Sequence, residues 1–166
     1  MTFGIMAILL FGELNFHTEA RMQYRAPVCE PTCPDGWMEY GQYCYLFVDQ
    51  AKTYTDAEVY CSTLSSVRRS HLTSVANLAE NTFLVNLAIS SLGYTVWIGY
   101  DDTAVESEFV WKDGSSYEYV NWSNPPDNWE GYEHCVEVAI DAGLWNDVPC
   151  NKVNRFICKS QIFYYY

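Results

Sequence analysis

Positive charge is scarce in this chain: 9 Lys and Arg stand against 21 Asp and Glu in 166 residues, a net charge of -12. Nucleic acid and anionic membrane surfaces are bound through basic patches, so neither is expected as a partner. Histidine is scarce too, and His17, His71 and His134 fall in no zinc-protease spacing. No nucleophile elbow and no phosphate-binding glycine loop occurs, so an enzyme is not expected. Long apolar runs are also missing. The run Phe3 to Phe11 is too short to span a bilayer, and no later stretch is apolar enough to cross one. There is no internal repeat, and the one low-complexity stretch is Tyr164-Tyr165-Tyr166.

The short run at the start does fit the apolar region of a secretory signal, with Thr18-Glu19-Ala20 supplying small residues for cleavage. No Lys or Arg precedes it, which departs from the usual signal pattern, and the competing reading is a buried helix. The signal reading gives residues 1–20 as a removed leader and a secreted, soluble mature chain without membrane insertion. Seven cysteines agree with an oxidising compartment if they pair.

What remains is rich in aromatics, 17% of residues, and long enough for one domain with a proper core. Residues 21–32 read as a polar lead-in carrying Cys29. The domain is expected over 33–159, with 160–166 as a tail. It opens at Cys33-Pro34-Asp35-Gly36-Trp37, a Pro/Gly turn followed by an anchoring Trp. Tyr40 to Val48 reads as a strand, with Tyr54 able to join another. Thr55 with Glu58 forms a capping pattern, so a helix is expected from about Asp56 to Leu64 with Ala57, Tyr60, Cys61 and Leu64 inward. Asn77 with Glu80 repeats the pattern before a second helix whose stripe is Leu84, Leu87, Ala88 and Leu92.

Short strands are expected at His71–Val75, Trp97–Tyr100, Phe109–Trp111, Cys135–Ile140, Gly143–Trp145 and Arg155–Cys158. Gly99 within the second of these implies a close backbone approach. Two helices with several short strands make an α+β domain.

Acids crowd one region. Residues 101–147 hold twelve of the chain's 21 Asp and Glu against the single cation Lys112, which reads either as a solvated face or as a surface that concentrates cations. Within it, Asp127, Glu133, Asn146 and Asp147 lie around Cys135 and Cys150. Calcium takes carboxylate and carboxamide oxygens, and positions left open on the ion can accept hydroxyls from a ligand. These four residues are therefore the candidate metal ligands, and Ca2+ the expected cofactor.

Taken together, Cys33-Pro34-Asp35-Gly36-Trp37, the helix around Cys61, His71-Leu72, Trp97-Ile98-Gly99, Phe109 and Trp111 before Asp113-Gly114, Trp122, Cys135, Trp145-Asn146-Asp147, Cys150 and Cys158 resemble the C-type lectin domain family. The resemblance spans residues 33 to about 159. It implies a fold of two helices with short antiparallel sheets and a long calcium- and sugar-binding loop region. It also implies three disulfides: Cys33–Cys44, Cys61–Cys158 and Cys135–Cys150. Cysteine counting alone leaves the connectivity open.

In calcium-binding members the ion is held by the first and third residues of a proline tripeptide, a Glu before the next Cys, and the Asn-Asp after Trp. Those positions here are Pro125, Asp127, Glu133, Asn146 and Asp147. The resemblance implies a cis bond before Pro126, a bond type that only X-Pro makes cheaply. Pro125 departs from the family, which carries Glu or Gln there, so one side-chain ligand is missing.

Asp127 as the third tripeptide residue resembles the galactose form, and Trp129 stands where galactose-type members stack a Trp on the sugar ring. The plainer reading of Trp129 is an aromatic packed on its own domain. A second family calcium site is partial: Asp102 and Glu106 match its acids, while Asn128 and His134 occupy its other acidic positions. Asp102 and Glu106 are accordingly expected as surface acids and His134 as a solvent-facing neighbour.

Cys29 is left over and implies a disulfide-linked homodimer, with a free or capped thiol as the alternative. Asn121-Trp122-Ser123 is a glycosylation sequon, with Trp122 read as a core residue. The expected function is that of a secreted calcium-dependent lectin for galactose or N-acetylgalactosamine, used to recognise microbial or self glycans. The rival is a lectin-like module that binds protein without calcium, for which Pro125 is the argument.

Overall fold

The aromatic stretch expected as one strand is two. Gly41, at φ 62, turns the chain between β1 (Met38–Tyr40) and β2 (Tyr43–Lys52), which pair antiparallel as a hairpin. A positive φ is cheap for Gly and costly for other residues, so the turn falls there. The computed structural model describes residues 32–64, 70–89 and 94–162. The expected leader, Cys29, Leu92 and the Tyr164–Tyr166 end lie outside the described residues.

Both expected helices form, the first with a shifted start. Helix α1 runs Tyr54–Thr63, and its N-cap is Thr53, whose hydroxyl accepts from the Asp56 N–H at 3.2 Å. Thr55 is therefore inside the helix and Tyr54 is its buried first residue rather than part of a strand. Glu58, not used in capping, reaches strand β3 (His71–Leu72) instead. It accepts from the Leu72 N–H at 2.8 Å and pairs with His71 Nδ1 at 2.5 Å. The helix turns Ala57 and Cys61 inward as expected, but Leu64 is 38% exposed because the helix has already ended. Helix α2 (Leu78–Leu87) is capped by Asn77 as expected, its side chain accepting from the Glu80 N–H at 3.0 Å. Leu84 and Ala88 are fully buried and Leu87 is half-buried.

The strands join in one sheet, ordered β1-β2-β8-β4-β6-β7, with β3 (His71–Leu72) on β8 and β5 (Val110–Trp111) on β4. Here β4 is Thr95–Asp101, β6 Glu133–Ala139, β7 Trp145–Pro149 and β8 Asn154–Gln161. The β4–β8 pair is parallel, so the sheet is mixed rather than a set of antiparallel pieces. Strand β7 begins where it was expected to end. Gly143, at φ 68, lies in the turn before it, and the strand carries on through Asn146 and Asp147. Strand β8 continues past residue 159, and Ile162, 8% exposed, donates its N–H to Gln42. The approach expected at Gly99 is real: a Cβ there would sit 2.5 Å from the Leu72 carbonyl oxygen.

Tryptophans fill the centre with their polar atoms satisfied, as buried indoles require. Trp97 donates to the Lys52 carbonyl at 2.9 Å and Trp145 to Asn81 at 2.8 Å. Trp122 is half-buried, 5.9 Å from Trp145 between ring centres. The three disulfides pair as the resemblance implies. Cys61–Cys158 closes a separation of 97 residues and fastens α1 to β8. For a loop of that size the chain-entropy estimate is about 4.7 kcal/mol.

Between β4 and β6 the chain forms a long loop region, and two bonds pin it to β7. The Trp145 N–H donates to Asn121 O, and the Ser123 N–H to Trp145 O, each at 2.9 Å. This anchoring brings Pro125–Asp127 alongside the strand that carries Asn146 and Asp147.

Candidate functional site

Three of the expected ligands meet. One carboxylate oxygen from each of Asp127, Glu133 and Asp147 lies within 4.8 Å of the other two. They come from three places: the loop after Pro126, the first residue of β6, and the middle of β7. Antiparallel pairing of β6 with β7 sets Glu133 opposite Pro149, and the Cys135–Cys150 bridge closes the same end.

Asn128 organises the loop between them. Its N–H donates to Asp147 Oδ2 at 3.0 Å, and its side-chain oxygen accepts from the Glu133 N–H at 3.0 Å. The next N–H, of Trp129, donates to Glu133 Oε2 at 3.1 Å. These bonds need a tight turn, and Asn128 (φ 43), Glu130 (φ 55) and Gly131 (φ 74) all adopt left-handed backbone. Asn is one of the few residues that visits this region readily, whereas Glu does so at a cost of about 1–2 kcal/mol.

Negative charge is concentrated here without relief. Among the described residues no Lys, Arg or His forms a salt bridge with any of the three carboxylates. The Glu133 carboxyl is raised above its ordinary value, first by burial and then by the charges of Asp147 and Asp127, with the Trp129 N–H pulling the other way. Three carboxylates this close, each with oxygen atoms to spare, suit a hard divalent cation. Asn146, next to Asp147 in β7, is exposed and donates its Nδ2 to the Asp147 carbonyl at 3.0 Å.

Two expectations about the tripeptide meet different outcomes. Pro125 is exposed and brings no oxygen from its side chain. The described peptide bonds are all trans, including the one before Pro126, contrary to the cis bond implied by the resemblance. The trans form is the cheaper by about 0.5–1 kcal/mol.

Trp129 is 63% exposed, so it is not packed into its own domain. It lines a groove of about 290 Å³ with Tyr132, Pro149, Cys150 and Asn151, beside the carboxylates. Tyr132, 67% exposed, is the residue that sequence reading missed. An aromatic three residues from Trp129 across a Gly was its only signal. The sequon residue Asn121 donates its side-chain N–H to Gly143 O at 2.7 Å, so the nitrogen a glycan would modify is engaged by the turn between β6 and β7.

The expectation of surface acids fails at Asp102, which is 2% exposed. The end of β4 and a bond from the Asp102 N–H to His134 O, 3.1 Å, draw it inward. His134 stays partly open to solvent and also faces Asp102: its Nδ1 lies 3.1 Å from Asp102 and 3.4 Å from Glu106. Glu106, half exposed, does stay at the surface.

Residues 50–160 match the family model for the C-type lectin domain. This chain belongs to that family. It is a binding domain of the C-type lectin class and not an enzyme. An alpha-N-acetylgalactosamine-specific lectin of Patiria pectinifera is 34% identical over 138 residues, covering 79% of this chain and 82% of that protein. The C-type lectin CEL-I from Cucumaria echinata superposes with a TM-score of 0.75 at 32% identity, covering 79% of this chain and 99% of that one. A calcium-independent type II antifreeze protein also superposes, with a TM-score of 0.71 at 27% identity, covering 81% and 98% of the two chains. No helix among the described residues of this lectin-family chain is long and apolar enough to cross a membrane.

Proposed function

We propose that this protein is a secreted, calcium-dependent lectin that holds vicinal hydroxyls of galactose or N-acetylgalactosamine on a bound Ca2+. The convergence of Asp127, Glu133 and Asp147 carries this reading. Asn146 completes the ligand set, and the open positions on the ion take two sugar oxygens. The galactose preference is supported by Asp127 closing the tripeptide and by the exposed indole of Trp129, a flat apolar face beside the ion site. Similarity to an N-acetylgalactosamine-specific lectin points the same way. Residues 1–20 serve as the leader, 33–159 as the lectin domain, and Cys29 as an interchain bridge in a homodimer.

A glycan array probed with calcium and again with a chelator tests it. Galactose-terminated glycans should give signals that the chelator abolishes. Binding that survives the chelator, or an array with no bound glycan, would sink the reading. Pro125 favours a second reading in that case: a lectin-like module that binds protein without calcium, its exposed loop stripped of one ligand.

A further inference from the structure

Asp102, Glu106 and His134 bring together one imidazole nitrogen and two carboxylates, with one ligand atom from each within 4.8 Å of the others. Calcium is bound through oxygen, and imidazole belongs to zinc and its neighbours among the transition metals. We propose that these three side chains form a zinc site, separate from the Asp127–Glu133–Asp147 cluster and independent of sugar binding.

The spacing fits. Ligands about 2.0–2.2 Å from a tetrahedral zinc stand roughly 3.3–3.6 Å from one another. His134 Nδ1 lies 3.1 Å from Asp102 Oδ1 and 3.4 Å from Glu106 Oε2, so small side-chain shifts seat the ion. The main ligand is held in advance. Asp102 Oδ2 accepts from the Ser107 N–H at 2.8 Å, which points Oδ1 at the imidazole. Outer bonds of this kind orient metal ligands and raise affinity. The Asp102 N–H, bonded to His134 O at 3.1 Å, fixes the two ligand-bearing backbones to each other.

Access is also provided. Asp102 is buried, but the His134 and Glu106 side chains are 31% and 51% exposed, so an ion can enter from their side. Three protein ligands leave the fourth zinc position to water or to a donor from outside, the arrangement of an exchangeable site.

Isothermal titration of the chelator-stripped full chain with zinc chloride tests the site. One zinc per chain should bind, and His134→Gln and Glu106→Gln should each weaken it by about tenfold or more. Asp127→Asn should leave it unchanged. Glu106 is exposed enough that its replacement leaves the fold intact, so a loss there is not a folding defect. Cobalt(II) in place of zinc should give visible bands of a nitrogen- and oxygen-ligated tetrahedral ion, absent from His134→Gln. No zinc uptake by the wild type overturns the proposal. So does uptake that survives His134→Gln, or uptake lost in Asp127→Asn, which would assign the ion to the other cluster.

Discussion

The N–H of Asn128 donates to Oδ2 of Asp147 at 3.0 Å, joining positions 19 residues apart. That bond ties the proline loop to β7, so the Asp127 and Asp147 carboxylates are held close together by the fold itself. The Cys135–Cys150 bridge reinforces it at the Glu133 end of the β6–β7 pair by closing a separation of 15 residues. Its chain-entropy contribution is about 3 kcal/mol. A site prepared in this way spends less ordering entropy on ion capture than a loose loop would.

Calcium should therefore stabilise the protein measurably. Binding to the folded state alone adds about 2.7 kcal/mol at a hundredfold excess over Kd. Denaturant melts with and without calcium should show that gain, and Asp147→Ala should abolish it. Asp127→Asn, at an exposed position, is the companion variant that avoids disturbing the core. Identical melts for the wild type with calcium and with chelator would rule the ion site out.

The raised Glu133 carboxyl predicts a pH dependence. Its folded-state value lies above the unfolded one, so the fold binds this proton more tightly. The resulting stability is full below the unfolded value and is lost as pH climbs through the folded value. At neutral pH the ion-free site thus costs stability, and Glu133→Gln should melt higher than the wild type in chelator. Calcium needs the ionised form, so its affinity should fall on acidification from a pH above the ordinary 4.5 of the carboxyl. A Glu133→Gln protein no more stable than wild type without calcium would contradict this.

Gly99 shows how sequence and structure can agree in detail. A lone Gly in an apolar strand marked a backbone approach, and the Leu72 carbonyl is what approaches, 2.5 Å from where a Cβ would stand. Gly99→Ala should cost about 1–3 kcal/mol through that overlap, measured by denaturant unfolding. A neutral result would mean that β3 gives way.

Other features were legible because they rest on local chemistry: the Asn77 cap and the acids that cluster. The Thr53 cap was missed because Thr53 and Thr55 both offer capping hydroxyls, and only Glu58's engagement with β3 decides between them. Beyond the disulfides, long-range side-chain networks were not legible. Lys159 is 4% exposed and bonds Glu80 at 2.7 Å, which also accepts from the Tyr45 hydroxyl at 2.5 Å. Nothing local to any of the three announces that network.

Pro125 is where the galactose reading is most exposed to test. The position is exposed, and its side chain supplies no oxygen to the cluster next door. Pro125→Gln would place a carboxamide there, able to coordinate calcium through its oxygen and to bond a sugar hydroxyl. One net hydrogen bond is worth about 0.5–1.5 kcal/mol, so galactose affinity should rise roughly two- to tenfold, read by titration calorimetry in calcium. Trp129→Ala should lower galactose affinity in the same assay by removing the stacking face, while calcium affinity stays almost unchanged, because only its backbone N–H contacts a carboxylate. The two variants act on different terms, one on the ion and its hydroxyl partner, the other on the ring. If the first gains nothing and the second loses nothing, galactose does not sit in this loop. The exposed pair Trp129 and Tyr132 would then be better read as part of a protein-binding face.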